Sequence, residues 1–426
     1  MQVKIEKLVY GGDGLGHAEG STVFVPYVLP GELVEVRAVE KRKKFVRGRV
    51  EKIVEASAER VAAPCPHFTA CGGCHFQHIP YEAQLRYKTE ILRETLWRIG
   101  RVKWEGSIQA HASPAFGYRN RAQWKVRPHG EKTALGYFRA ASSALCEVKE
   151  CGILSPRLAR ALATIRELLA AGGLPPTLHE VEAFADGSDA TILLNASLTQ
   201  LDGPARKIAE TLRGALPEAS TILLHESSRD RFELDGPGFI EYRVEEFPYR
   251  VGHLSFFQIN RFLVEEMVRE VVADVAGGLA IDLYAGVGLF SVQLGKRFER
   301  VIAVESNEAA GRDLKANLDA MGVAAQVANT EVEKFLANCE ETPNLVVLDP
   351  PRAGVAAEAI ERLAALGAQR IFYMSCDPST LARDLGVLTG AAAGLRLGYD
   401  IEEVHLFDVF PQTYHIESLV RLRRRE

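Results

Sequence analysis

The stretch LAIDLYAGVGLFS, residues 279–291, decides how this chain is read. An apolar run enters a turn carrying Gly286 and Gly288 and then takes up a helical period. A buried strand thus hands over to a helix through a glycine turn, where a ligand can approach the backbone closely. A dinucleotide fingerprint would place a third glycine where Ser291 stands, which argues against a pyrophosphate at this turn. Glu305 closes the next apolar run, VIAVES (301–306), where a carboxylate can accept both hydroxyls of a ribose. Together these features suggest an adenosine-bearing ligand without a diphosphate, a description that S-adenosylmethionine fits.

Outward from that stretch, from about residue 251, apolar runs alternate with helical ones, the pattern of a doubly wound parallel sheet in an α/β domain. In NLVVLDPPRAG (344–354) Asp349 ends a strand, and Pro350 and Pro351 keep the chain from entering a helix at once. In RIFYMSCDPSTLARD (370–384) Cys376 ends another, followed by Asp377 as helix cap and Pro378 as first helical residue. A thiol at that position is expected to have its thiolate stabilised by the helix dipole. Glu417, in FPQTYHIES (410–418) with His415 close by, is a carboxylate in apolar surroundings.

Towards the N-terminus, short alternating runs separated by Gly and Pro-Gly turns predict a small five-strand barrel up to about residue 56. Eight basic residues between Arg37 and Lys52, against two glutamates, give it a positive strand. From Tyr118 to Arg139, Arg and Lys interleave with Tyr118, Trp124, Tyr137 and Phe138. That suits stacking recognition of single-stranded nucleic acid, or equally the core face of a hairpin. A helix is predicted from about Tyr81 to Ile99, and mixed strands and helices run on to about residue 250.

The chain has 426 residues, a formal net charge of -5 and seven cysteines. No apolar run of membrane-spanning length occurs and the N-terminus lacks an apolar signal core, so a cytosolic protein with no membrane partner is expected. In that compartment clustered cysteines point to a metal rather than to disulfides. Cys65, Cys71 and Cys74 lie in PCPHFTACGGCHFQH (64–78), and Cys146 and Cys151 follow later. Spacing alone leaves zinc and an iron-sulfur cluster both open.

The motifs SFFQIN, DLYAGVGLFS, LDPPR, SCDPSTLARD and FPQTYHIES, in this order, closely resemble those of the uracil-5 RNA methyltransferases. The opening GGDGLGHAEGSTVFVPYVLPGE (11–32) is similar to that of the OB-like TRAM domain, which implies RNA contact. The resemblance implies three parts: a TRAM barrel over residues 1–57, a central α+β iron-sulfur domain over 58–250, and a class I Rossmann-like methyltransferase domain over 251–426. It further implies Cys376 as nucleophile and Glu417 as base, with Gln258, Tyr284, Gly286, Gly288, Glu305 and Asp349 around S-adenosyl-L-methionine and the target base. A [4Fe-4S] cluster on Cys65, Cys71, Cys74 and Cys151 is favoured over zinc, with Cys146 ranked behind Cys151. Ala285 and Leu289 stand where members often carry Cys and Asn.

The chemistry accounts for these residue types. Carbon 5 of uracil is too weak a nucleophile to attack a sulfonium methyl until a thiolate has added to carbon 6, and a base must later remove the carbon 5 proton. The expected partner is RNA, ribosomal RNA before transfer RNA, acted on by a monomer. A catalytically idle RNA-binding or ribosome-assembly factor would have lost the thiol or the base, and both are present. A radical enzyme would need a free iron site, against which Cys151 argues.

Overall fold

The computed structural model describes residues 1–129, 132–201, 203, 205–391 and 398–425. Strands β1 (Gln2–Leu8), β2 (Asp13–Ala18), β3 (Ser21–Pro26), β4 (Leu33–Lys41) and β5 (Phe45–Glu55) close a barrel in the order β1-β2-β3-β5-β4. The alternation read in the sequence is what fills it, because Val3, Ile5, Val23, Val25, Val34, Val36 and Val46 point inward while their neighbours face solvent. In the positive strand region, Arg37, Arg42 and Arg47 pair with acidic neighbours. Lys41, Lys43, Lys44, Arg49 and Lys52 stay exposed outside those pairs.

Helix α1 (Tyr81–Gly100) and strand β6 (Ile108–His111) follow. A second sheet is then built from β7 (Arg121–His129), β8 (Lys132–Phe138), β9 (Leu145–Glu147), β10 (Leu178–Ala185), β11 (Ile192–Leu198), β12 (Ala219–Glu226) and β13 (Arg231–Asp235). Helices α2 (Pro156–Ala170) and α3 (Ala205–Ala215) pack against it. Here the interleaved aromatics take the hairpin-core reading: Tyr118 and Trp124 are fully buried, and the Trp124 indole donates to the Tyr137 hydroxyl at 3.0 Å. The basic residues of β7 are not free either. Lys125 and Arg121 pair with Glu180 and Glu182, which the antiparallel register of β10 sets beside them.

After the hairpin β14 (Phe239–Val244) and β15 (Phe247–Gly252), the C-terminal part comprises α4 (Val264–Val272), β16 (Gly277–Leu283), α5 (Leu289–Leu294), β17 (Phe298–Val304), α6 (Glu308–Ala320), β18 (Ala325–Ala328), α7 (Val332–Asn338), β19 (Leu345–Leu348), α8 (Ala357–Leu366), β20 (Arg370–Ser375), α9 (Pro378–Leu388), β21 (Tyr399–Phe407) and β22 (Glu417–Arg424). Its sheet runs β18-β17-β16-β19-β20-β22-β21-β6, parallel from β18 to β20, with β22 antiparallel to both its neighbours. Apolar side chains cover both faces, the doubly wound layering expected from the continuous apolar runs.

Two elements that the sequence places in the central segment belong to this sheet's packing. β6 joins the sheet edge in parallel with β21, and α1 lies along α9 so closely that a Cβ on Gly100 would meet the Ala382 carbonyl at 2.1 Å. The side chains of α1 explain the placement, since Ile91, Leu92 and Leu96 enter the core beneath β20 and β22. Among the described residues no helix is long and apolar enough to cross a membrane.

Candidate active site

The carboxyl ends of the parallel strands define one edge, and the site is built there. β20 and β22 pair up to Ser375 opposite Ser418, so the ladder ends one residue short of Cys376 on one strand and of Glu417 on the other, and the two groups are close enough to interact by charge. Asp349 follows β19, the neighbour of β20 on its other side.

Electrostatics record how closely these groups sit. Burial pushes the Cys376 thiol up to about 12, with Glu417 and then Asp349 adding to the rise and the Arg352 guanidinium opposing it. Burial likewise holds the carboxyls of Asp349 and Glu417 well above the usual range, and Asp349 adds to the effect on Glu417. Oε1 of Glu417 is buried without a hydrogen-bond partner among the described residues. The helix N-terminus expected to stabilise the thiolate serves another group: Asp377 caps α9 by accepting from the amides of Ser379 and Thr380 at 2.8 and 3.0 Å. Desolvation and two carboxylates therefore outweigh the dipole at the thiol. His415, beside Arg352 at 3.4 Å, is pushed down to about 3 by burial and stays neutral.

At the neighbouring strand ends the glycine turn behaves as read. Gly286 and Gly288 both have positive φ, 56° and 89°. The Gly286 amide donates to Glu305 at 2.8 Å, and the Asn307 amide donates to its other oxygen at 2.7 Å. Each carboxylate oxygen keeps lone-pair capacity for a second donor, as a ribose diol requires. The Gly286 Cα faces open space, whereas a Cβ on Gly288 would strike Leu314 at 2.7 Å. Between the turn and Cys376, the sequence reading missed Asp282. This carboxyl is buried within β16, accepts from the Ser291 hydroxyl, and is raised to about 7 chiefly by burial, with Asp349 and Glu305 contributing. An acidic residue inside the apolar run LAIDLYAG was the available signal. Arg352, missed as well, is the cation nearest the thiol.

The edge thus gathers Asp282, Glu305, Asp349 and Glu417, a donor set that suits a positively charged ligand with a diol. Tyr284 packs against the core on the face carrying α7 to α9, where burial and then Glu333 and Asp384 raise its phenol. Gln258 is buried in the segment entering α4. Asn260 ties that segment to the carbonyls of Asp408 and Val409, at the start of the loop leading to Glu417. The same loop is anchored by a fully buried ion pair, Lys88 to Asp408 at 2.6 Å.

A second thiol site lies between the barrel and the central sheet. Cys65, Cys71, Cys74 and Cys151 line one cavity of about 110 Å³ with Tyr137 and Arg119, while Cys146 belongs to the adjoining core. Burial raises Cys71 to about 11 and Cys74 to about 12, the thiols' mutual charges adding to it. Four sulfurs lining one cavity fit a thiophilic metal centre.

Comparison with known proteins agrees with this geometry. Residues 80–425 match the family described as tRNA (Uracil-5-)-methyltransferase, and residues 1–50 match the TRAM domain. An uncharacterized RNA methyltransferase of Aquifex aeolicus is 33% identical, covering 100% of this chain and 99% of its own length. The 23S rRNA (uracil(1939)-C(5))-methyltransferase RlmD of Pseudomonas entomophila is 33% identical, with 97% and 92% covered. The crystal structure of Pyrococcus abyssi tRNA (uracil-54, C5)-methyltransferase in complex with S-adenosyl-L-homocysteine superposes with a TM-score of 0.77 at 26% identity, covering 99% of this chain and 100% of that one.

Proposed function

From the premise that the chain belongs to the RNA uracil-5 methyltransferase family and uses S-adenosyl-L-methionine, we propose that it methylates a uridine of 23S ribosomal RNA, with Cys376 as nucleophile and Glu417 as base. The observation that supports this most directly is the meeting of Cys376, Glu417 and Asp349 at one end of the sheet, close enough for both carboxyls to raise the thiol, at the edge where Gly286 and Glu305 form a diol acceptor.

S-adenosyl-L-methionine, when bound, supplies an electrophilic methyl group. Gly286, Gly288 and Glu305 hold its adenosine side, and Gln258, Tyr284 and Asp349 border the space between it and the base. The Cys376 thiolate adds to carbon 6 of a uracil that has left its stack, and the ring electrons move to carbon 5. Carbon 5 would then bond to the methyl group of the bound donor, whose sulfur would keep the electron pair of the broken bond and leave as a neutral thioether. Glu417 then removes the carbon 5 proton, and the electron pair left behind expels the Cys376 thiolate, releasing 5-methyluridine. Burial raises Cys376, Asp349 and Glu417, and a positive charge arriving beside them would lower all three together. Donor binding and thiol ionisation are thereby linked.

The cysteine cavity is read as the seat of a [4Fe-4S] cluster on Cys65, Cys71, Cys74 and Cys151, supported by the convergence of these four thiols on one cavity. The exposed lysines of the barrel supply backbone contact to RNA.

RNA containing 5-fluorouridine tests the mechanism, since fluorine cannot leave carbon 5 as a proton. A denaturation-stable protein–RNA adduct is expected that depends on the methyl donor and is lost in Cys376→Ala; an adduct persisting in that variant overturns the assignment. Competing 23S ribosomal RNA fragments against transfer RNA decides the substrate, and preference for transfer RNA overturns the ribosomal reading.

A further inference from the structure

Away from the active-site edge, β6, β21 and α4 bring two histidines and three glutamates together around one point. Nε2 of His111 and Nδ1 of His405 lie 2.9 Å apart. Each ring turns its other nitrogen to a carboxylate, His111 Nδ1 to Glu266 at 2.7 Å and His405 Nε2 to Glu403 at 3.1 Å. Glu270 completes the group, 3.9 Å from His405 Nδ1. The His405 side chain is 1% exposed and that of His111 is 9% exposed.

The hydrogen bonding leaves a deficit at the centre. An ionised carboxylate only accepts, so Glu266 and Glu403 each require N–H on the outer nitrogen of their histidine. In a neutral imidazole the inner nitrogen is then a bare acceptor, and two bare lone pairs face each other at 2.9 Å. Something positive must lie between them. The charge balance gives its size: Glu266, Glu270 and Glu403 carry three negative charges, and Arg421, bonded to Glu270 at 2.9 Å and to Glu403 at 2.5 Å, supplies one positive charge. Two negative charges remain, a balance that a divalent ion meets, while water also reaches Glu266 and Glu403, which are 37% and 39% exposed.

We propose that His111, His405 and Glu270 form a binding site for a divalent ion of the zinc class, separate from the cysteine cavity. Two imidazoles and one carboxylate suit zinc, and the outer carboxylates Glu266 and Glu403 fix the tautomers as outer partners of histidine ligands do. The candidate donor atoms already lie within 4.8 Å of one another, and a modest opening of the histidine pair seats the ion. The site ties β6 to β21 and α4. His111 also stacks on Phe407, which pairs in register with Glu417.

Calorimetric titration of zinc chloride into the purified full-length protein, its cysteine site left loaded, tests this. One equivalent is expected to bind in the wild type. His405→Gln should abolish that uptake, and Glu266→Gln, which touches only the outer nitrogen of His111, should weaken it by about 10- to 100-fold. A cobalt-loaded sample should show no thiolate charge-transfer band from this equivalent, which distinguishes it from the cysteine cavity. Absence of uptake in the wild type, meaning that the two imidazoles share a proton, overturns the proposal. Uptake unchanged in Glu266→Gln and His405→Gln overturns it as well, and the melting temperature of each variant without zinc confirms that it is folded.

Discussion

Two thiol environments in this molecule reach the same electrostatic state by different routes. Cys376 stands alone among carboxylates, and burial, Glu417 and Asp349 push it up to about 12. Cys74 stands among other thiols and reaches about 12 through burial, the neighbouring sulfurs adding to it. A buried sulfur that must ionise needs a cation, and the surroundings decide which kind. Four converging sulfurs can hold a metal permanently. One sulfur beside carboxylates and Arg352 suits transient ionisation, the role proposed for Cys376.

The largest expected break in this comparison is Cys376→Ala. It should lower turnover on the order of 10⁴-fold or more while leaving the melting temperature near that of the wild type, checked by methyl incorporation and thermal unfolding. Glu417→Gln should cost about 10²- to 10⁴-fold in turnover and accumulate the covalent RNA adduct, visible as a shifted band in a denaturing gel. That substitution also carries a pH signature. The folded-state carboxyl of Glu417 is raised, so its contribution to stability is complete below the unfolded value and is lost as pH rises towards the folded one. The amide has no charge to bury, so the variant should equal the wild type near pH 4 and be the more stable of the two at pH 8 in denaturant titrations.

On the other side of the comparison, Cys74→Ser should leave Cys376 intact yet lower metal content and melting temperature together, measured by elemental analysis and calorimetry. The smallest effect is expected where the barrel meets the segment carrying Cys376. The Tyr10 hydroxyl donates to Asp377 at 3.0 Å, and its ring meets Tyr414 edge-on at 5.8 Å. Tyr10→Phe removes one hydrogen bond to the residue after Cys376, worth about 1 kcal/mol, and should lower kcat several-fold with KM for the methyl donor unchanged.

How legible each part was depends on the distance over which it is specified. The turn carrying Gly286 and Gly288, the strand ends at Glu305, Asp349 and Cys376, and the barrel's alternation are written within a few consecutive residues, where period and turn chemistry act locally. The neutralisation of Lys125 and Arg121 by Glu180 and Glu182 was not legible, since it depends on pairing between strands more than fifty residues apart. The same holds for the entry of α1 and β6 into the C-terminal packing. Both follow from apolar side chains whose partners lie some three hundred residues downstream, as with Lys88 and Asp408.

The sequence by itself determined which residues can do chemistry and what kind: a strand-end thiol, a carboxylate near the C-terminus, a glycine turn followed by an acid, and a cysteine cluster. Only the tertiary structure decided their states. The approach of Glu417 to Cys376, the use of the helix N-terminus by Asp377, and the meeting of His111 with His405 all arise where segments distant in the chain are packed together. Desolvation and charge interaction depend on that proximity, and neither is encoded in the residues that experience them.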